Sequence, residues 1–255
     1  MENKIPFSLL GMRIDSTSYK NTVRKIDEWE KQGESRYICA ANVHMVMETY
    51  DSEDFRFVVN HADIVTPDGV PLVWLMRFRG IKIQQRVYGP TLMLHVLELA
   101  ANENIPVGFY GGEPAVLESL VKRMQAKFPG LNVAYAFSPP FRTLSSDEDA
   151  EVVSNVKKSS VKILFIGLGC PKQEQWMAAH RGKIPAVMLG VGAAFNIHAG
   201  VRSQAPGWVQ KVGLEWLYRF FQEPRRLWRR YLVQNPRFVA LALAELLGIV
   251  KVTRN

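Results

Sequence analysis

Along the chain, short apolar runs end abruptly in small or polar turns. Tyr37-Ile38-Cys39-Ala40 runs into Ala41-Asn42, and Ala62-Asp63-Ile64-Val65 into Thr66-Pro67-Asp68-Gly69. Residues 107–110 lead into Gly111-Gly112-Glu113-Pro114, and residues 162–166 into Gly167-Leu168-Gly169-Cys170-Pro171. Residues 186–189 lead likewise into Gly190-Val191-Gly192-Ala193. Runs of this length, cut by turn chemistry, read as buried strands. Between them apolar residues recur at helical spacing. In 114–128 they fall at 116, 117, 120, 121 and 124, after an opening Pro114 and before Pro129-Gly130. Segments 91–101 and 146–156 read as further helices. Strand, turn and helix in repetition predict an α/β fold: a largely parallel sheet with flanking helices, Rossmann-like. Open sheets of this kind bind ligands at their carboxyl edge, so Asn42, Asp68, Gly111, Gly169 and Gly192 are expected to converge. From about Gly207 the strand pattern stops and Trp, Arg, Tyr and Leu dominate, which predicts a helical C-terminal appendage (207–255) on an α/β body (1–206).

Charge sharpens that division. The chain carries +8 over 255 residues, and from Arg202 onward 10 Lys/Arg face 3 Asp/Glu, which leaves only +1 for everything before. A basic tail on a neutral body points to an anionic partner: nucleic acid, phospholipid headgroups or a pyrophosphate. Arg225, Arg226, Arg229 and Arg230 are expected to share a helical face, interleaved with Leu227, Trp228, Tyr231 and Leu232, a mixture suited to a headgroup boundary. Residues 238–250 are apolar but short and contain Glu245, so they are expected to lie on a membrane rather than through it. No apolar run reaches the roughly 18 residues of a span, and the first residues lack a signal-peptide pattern, so a soluble cytoplasmic chain is expected. Composition, 47% hydrophobic and 22% charged, excludes disorder, collagen-like repeats and disulfide-stapled miniproteins. Cys39 and Cys170 read as buried thiols in a reducing compartment.

The candidate chemistry is sparse. Asp68 sits in a Pro-Asp-Gly turn, which either serves the backbone alone or holds a carboxylate at the sheet edge as a general base. Asn42 either caps the next helix or meets a ligand. Gly111, Gly112, Gly169, Gly190 and Gly192 offer backbone N–H groups to a phosphate or sugar. Gly190-Val-Gly-Ala-Ala-Phe195 begins like a dinucleotide fingerprint, yet Phe195 replaces the third small residue and no acidic partner follows, which disfavours a nicotinamide enzyme. Asp147-Glu148-Asp149 resembles a metal triplet, but Ser145 and Glu148 form a capping box and acidic residues suit a first turn. The histidines at 44, 61, 95, 180 and 198 show no ligand spacing; His44, beside the Asn42 turn, is the one placed to touch a ligand. No hydrolytic triad or nucleophile elbow is present.

Asn42, Pro67-Asp68-Gly69, Arg86-Val-Tyr-Gly89, Gly111-Gly112-Glu-Pro114, Gly167-Leu-Gly-Cys-Pro-Lys-Gln-Glu174, Gly190-Val-Gly-Ala-Ala-Phe195 and Gly213-Leu-Glu-Trp-Leu-Tyr-Arg219 occur in one order. In this the chain resembles the WecG/TagA/CpsF glycosyltransferases over about residues 5 to 240. The resemblance implies a metal-independent, inverting transfer of N-acetylmannosamine or a related sugar from a UDP donor. The acceptor it implies is a polyprenyl-diphosphate-linked saccharide, at the inner face of the cell membrane, in cell-surface polysaccharide synthesis. It implies Asp68 as general base, with Asn42, Arg86 and Gln173 beside the substrate and the glycine turns and Asn196 around the donor. The appendage is then expected to face membrane and acceptor, with Arg219, Arg225, Arg226 and Arg229 on the acceptor diphosphate. No cofactor and no nucleic acid are implied; a homo-oligomer remains open. Ala40, Thr91 and Asn196 depart from residues common at the matching positions, which bears on the sugar. RNA binding through the basic tail is the rival from another class, without a recognisable RNA module to support it.

Overall fold

A computed structural model describes residues 6–250. Its centre is a six-stranded sheet made of β3 (Arg36–Ala41), β4 (Ile64–Pro67), β5 (Val107–Gly111), β6 (Val133–Phe137), β7 (Ile163–Gly167) and β8 (Val187–Gly190). All neighbours are parallel, in the order β4-β3-β8-β7-β5-β6. A preceding hairpin, β1 (Pro6–Leu9) and β2 (Met12–Asp15), turns at Leu10 and Gly11, both at positive φ. It is tied to the sheet where the Val65 N–H donates to Asp15 Oδ2 at 2.8 Å.

The strands read as unbroken apolar runs because both faces are covered. Along β7, Ile163 and Phe165 point to one face while Leu164 and Ile166 point to the other. The first face is closed by Ile26 of α1 (Tyr19–Lys31), Leu97 of α5 (Gly89–Asn102), Leu120 of α6 (Pro114–Lys127) and Phe195 of α9 (Ala194–His198). The second is closed by Met45 of α2 (Val43–Asp51), Phe55 of α3 (Glu53–Asn60), Leu72 of α4 (Val70–Phe78), Val156 of α7 (Ser146–Lys158) and Met177 of α8 (Lys172–His180). Helix α6 opens on Pro114 as its sequence requires, and α7 carries the Ser145/Glu148 capping box.

β5 connects outward to the edge strand β6, whereas its neighbour β7 connects inward to β8. Connections that part in this way open a crevice at the carboxyl ends of the two strands. There the backbones touch. A Cβ on Gly111, whose φ is +117°, would lie 2.7 Å from the Gly167 carbonyl carbon. A Cβ on Gly167 would in turn strike the Phe195 ring at 2.5 Å, so the residue that spoils the dinucleotide fingerprint fills the space between β7 and α9.

The C-terminal region is helical, as expected: α10 (Gly207–Lys211), α11 (Glu215–Gln222), α12 (Pro224–Trp228), a π-helical turn (Arg229–Gln234) and α13 (Asn235–Leu246). It is not detached from the body. Phe238 and Ala242 of α13 join the core on the α2 face. Arg237 grips Asp51 through two 2.6 Å hydrogen bonds, and Glu245 accepts from the Leu10 N–H at 3.0 Å and from Arg79 at 2.9 Å. One face of 238–250 therefore lies on the body, and Val239, Leu243, Leu247 and Ile249 remain exposed. Among the described residues no helix is long and apolar enough to cross a membrane.

Candidate active site

A cleft of about 1860 Å³ runs along the carboxyl edge of the sheet and is closed on its far side by the C-terminal helices. Single small-molecule sites occupy roughly 300–1,000 Å³, so this cleft is larger than one such ligand requires.

Asp68 lines the cleft where β4 ends. The backbone after β4 is folded back on β3, with the Asp68 and Gly69 N–H groups both donating to the Ala41 carbonyl at 2.9 Å. The carboxylate accepts from the Gly89 N–H at 3.1 Å through Oδ2 and from Arg86 Nη2 at 3.2 Å through Oδ1. Arg86 Nε also donates to the Asp68 carbonyl. Burial pushes the Asp68 carboxyl above its ordinary value; Arg86 works against that, and the neighbouring Glu215 carboxylate adds to it. The pull of the Pro-Asp-Gly turn on the backbone and the presentation of the carboxylate are thus both real. An ionisable group with raised pKa in a cleft is suited to taking a proton.

Asn42 caps the next helix and also lines the cleft. Its Oδ1 caps α2 by accepting from the Met45 N–H at 3.2 Å, and its side chain lines the cleft within 3.4 Å of Arg230 Nη2. His44 lines the cleft on the same helix; burial and then Arg230 push its imidazole down to about 3, so it is neutral at neutral pH.

The glycine turns behave less openly than their composition promised. Gly112, Gly169, Gly190, Gly192 and Asn196 line the cleft, while Gly111 lies behind its wall. The Gly169 N–H is already bound to Gln173 Oε1 at 3.1 Å, and the Gly192 N–H to the Ile166 carbonyl at 3.2 Å. Gln173 is itself buried. Its amide donates to Glu174 Oε1 at 2.7 Å and sits where a Cβ on Gly190 would approach within 3.0 Å. It braces the two turns against each other. Cys170 is half-buried on the cleft wall, while Cys39 is fully buried, and both are free thiols.

The tail arginines divide. Arg219 and Arg226 line the cleft, but Arg225 and Arg229 are exposed and do not. The expected single face splits: Arg230 is half-buried in the cleft, Arg226 borders it while still exposed, and the chain passes into the π-helical turn at Arg229. Arg230 and Arg202, which the sequence reading left off the site, complete the cluster. The i, i+4 partner of Arg226 was the available signal for Arg230; nothing local marked Arg202. Glu223 binds Arg202 at 2.7 Å and Arg226 at 2.6 Å. Arg219 Nε is buried with no hydrogen-bond partner among the described residues. Burial pushes the Arg230 guanidinium down, and Arg219 and Arg226 add to it. Two guanidinium groups on one carboxylate, with Arg219 and Arg230 on the same cleft, leave an excess of positive charge of the kind that suits a polyanion.

The acidic triplet is occupied elsewhere. Glu148 closes the capping box and takes two 2.6 Å bonds from Arg142, while Asp149 meets His180 at 3.2 Å. Among the described residues, no group of three His, Cys, Asp or Glu side chains could hold a metal ion.

The family model for the glycosyl transferases WecG/TagA/CpsF matches residues 7–251, nearly the whole chain. The chain belongs to the WecG/TagA/CpsF family. Among similar proteins is the N-acetylglucosaminyldiphosphoundecaprenol N-acetyl-beta-D-mannosaminyltransferase of Bacillus spizizenii, 30% identical over 83% of this chain and 80% of that one. Proteins of the same name from Bacillus subtilis and Staphylococcus aureus are each 26% identical; they align over 82% and 89% of this chain and 79% and 89% of their own lengths. As a glycosyl transferase of the WecG/TagA/CpsF family, the protein is an enzyme that transfers a sugar.

Proposed function

We propose that the protein moves N-acetylmannosamine from a UDP donor to an N-acetylglucosamine carried on a polyprenyl diphosphate, as its relatives' names describe for them. The observation that carries this reading is the pairing, in one cleft, of the buried Asp68 carboxylate with the arginine cluster at 202, 219, 226 and 230. A sugar transfer between two diphosphate-bearing substrates needs both. The acceptor hydroxyl attacks the anomeric carbon while Asp68 takes its proton. The bond to UDP breaks on the opposite face, its electron pair goes to the departing diphosphate, and the anomeric configuration inverts. Arginine forks suit the diphosphate oxygens, because charge that develops there is met by donors already in place. Asn42, Asn196 and the cleft-lining glycines line the space for the donor sugar and nucleotide.

The outer surface supports action at a membrane. Trp208, Phe221, Trp228 and Leu247 are exposed on the same basic region and lie outside the cleft. Arginine with exposed aromatic and aliphatic side chains fits a headgroup layer, where each basic residue contributes about 1 kcal/mol. We infer on this ground that the protein acts at a membrane surface; the inner face of the cell membrane is what the family resemblance implies.

The test is direct. Purified protein is supplied with UDP-N-acetylmannosamine and a short-chain N-acetylglucosaminyl diphospholipid, and UDP release and product are followed with and without EDTA. Transfer that survives EDTA supports the reading. Turnover of another UDP-sugar alone would correct the donor, and stabilisation by NAD but not UDP would overturn the class.

A further inference from the structure

Glu215 belongs to the C-terminal helices but reaches the catalytic centre. Its Oε2 accepts from Arg86 Nη2 at 2.8 Å, the same nitrogen that holds Asp68 Oδ1 at 3.2 Å. Its Oε1 accepts from the Tyr88 hydroxyl at 2.9 Å, and the Arg86 guanidinium lies 4.0 Å from the centre of the Tyr88 ring. Glu215 is 9% exposed and Tyr88 6%, so the network is screened little by water. Two residues earlier, Gly213 adopts φ +75° and lies so close to α4 that a Cβ there would sit 3.0 Å from the Trp74 ring. The chain is thereby laid directly on the body just before Glu215 enters the site.

We propose that Glu215 is a positioning residue that makes Asp68 an effective base only when the C-terminal helices are seated. The inference rests on the reading of Asp68 as the general base. The physical reason is charge. With both carboxylates ionised, Asp68, Arg86 and Glu215 carry a net −1 in a buried place, and a proton taken by Asp68 brings the group to neutrality. Without Glu215, Asp68 and Arg86 form a neutral pair, and the same proton leaves an uncompensated positive charge. The other ionisable groups facing Asp68 are the phenols of Tyr19 on α1 and Tyr88 before α5. Burial raises both, so they are neutral through the working range. Unseating the helices therefore removes the carboxylate that adds to burial in keeping Asp68 basic, and catalysis waits until the cleft is closed.

The experiment compares wild type, Glu215→Gln and Asp68→Asn in full-length protein. In Glu215→Gln, turnover should fall about tenfold and the acid limb of its pH profile should move to lower pH. A loss of turnover with an unmoved limb would reduce Glu215 to a structural contact and overturn the proposal. Asp68→Asn separates the two readings: if it retains turnover, the base assignment fails and this inference with it. If it is inactive while Glu215→Gln behaves as wild type, only this inference fails. Hydrogen exchange supplies a readout independent of activity. In Glu215→Gln, amides of 215–222 should exchange faster while those of the sheet do not change; unchanged exchange in 215–222 would exclude the seating role.

Discussion

The body and the C-terminal helices solve opposite problems. In the body, side chains such as Leu164, Phe165 and Val187 are wholly buried, and charged groups near the surface are matched, as Asp63 is by Arg36 and Arg181. In the C-terminal region large apolar residues stay outside, among them Trp208 at 69% and Phe221 at 74% exposure, and Arg202 and Arg226 share one carboxylate. Burial and matched charge account for most of the first region, although Phe78, Ile83 and Phe141 stay exposed there as well. The second is left with unmatched charge facing the cleft and unmatched apolar surface facing outward, which is the condition of a part completed by its ligand and its surface. Under the proposed function the difference divides the work: the sheet edge would supply the base, and the basic helices the grip on the diphosphates.

The sharpest test of that division acts on the body. Asp68→Asn keeps the hydrogen bonds available to a side-chain oxygen but cannot take a proton. Transfer should fall by on the order of 10²-fold or more with UDP binding retained, measured by turnover and by thermal stabilisation with UDP. Near-normal turnover would move the base elsewhere. On the other side, Arg230→Ala should raise KM for the diphospholipid acceptor by about tenfold or more, the worth of a hydrogen bond to a charged group. Arg225→Ala and Arg229→Ala should leave soluble-acceptor kinetics alone and weaken sedimentation with anionic vesicles at low salt. Equal effects on kinetics from all three would mean that the inward and outward arginines are not distinct.

Deleting residues 207–255 asks whether the body stands alone. The charge count suggested that it does, but Phe238, Ala242, Arg237 and Glu245 are spent on body contacts. The truncated chain should keep its strand signal in circular dichroism, since every strand precedes the cut, and melt roughly 10 °C lower. An unchanged melting temperature would show that α13 adds nothing; loss of the cooperative transition would show that the two regions are one folding unit.

The parallel sheet and its carboxyl edge were legible because strands buried on both faces read as plain apolar runs, and each ended in a turn with marked chemistry. Asp68 and Asn42 were legible as positions, though not that each would combine a local backbone contact with a place on the cleft wall. The β1–β2 hairpin was not legible: its turn is Leu10-Gly11 between apolar residues, without the usual Asn-Gly or Asp-Gly signal. The exposed edge strand β6 was hidden by weak patterning in Val133–Phe137. Glu215 was quoted within a motif but had no visible task, since its partners Arg86 and Tyr88 lie more than 120 residues away. Local spacing gave half of the arginine cluster and misdirected the other half, because helix phase changes at the π-helical turn.

The smallest expected effect probes a wholly buried carboxylate of the body. Glu174 is 0% exposed, and burial pushes its carboxyl up to about 7, with the Gln173 amide working against that shift. In the unfolded chain the group titrates near 4.3. Between those values the folded protein binds more protons than the unfolded one, so stability is greatest below about 4.3 and declines as pH rises toward 7. Glu174→Gln keeps an oxygen to accept from Gln173 and removes the titration. The difference in melting temperature between the two proteins should therefore grow from pH 5 to pH 8, with the variant gaining about 1–3 kcal/mol at the upper end. Parallel curves would mean that the Glu174 carboxyl is not raised in the folded state. If the variant gains stability but its turnover drops, the bracing of Gly169 and Gly190 by Gln173 needs the charge of Glu174 and not only its oxygen. That outcome would carry the comparison into the body itself, where a buried charge would be retained for the geometry of the sheet edge at a cost in stability.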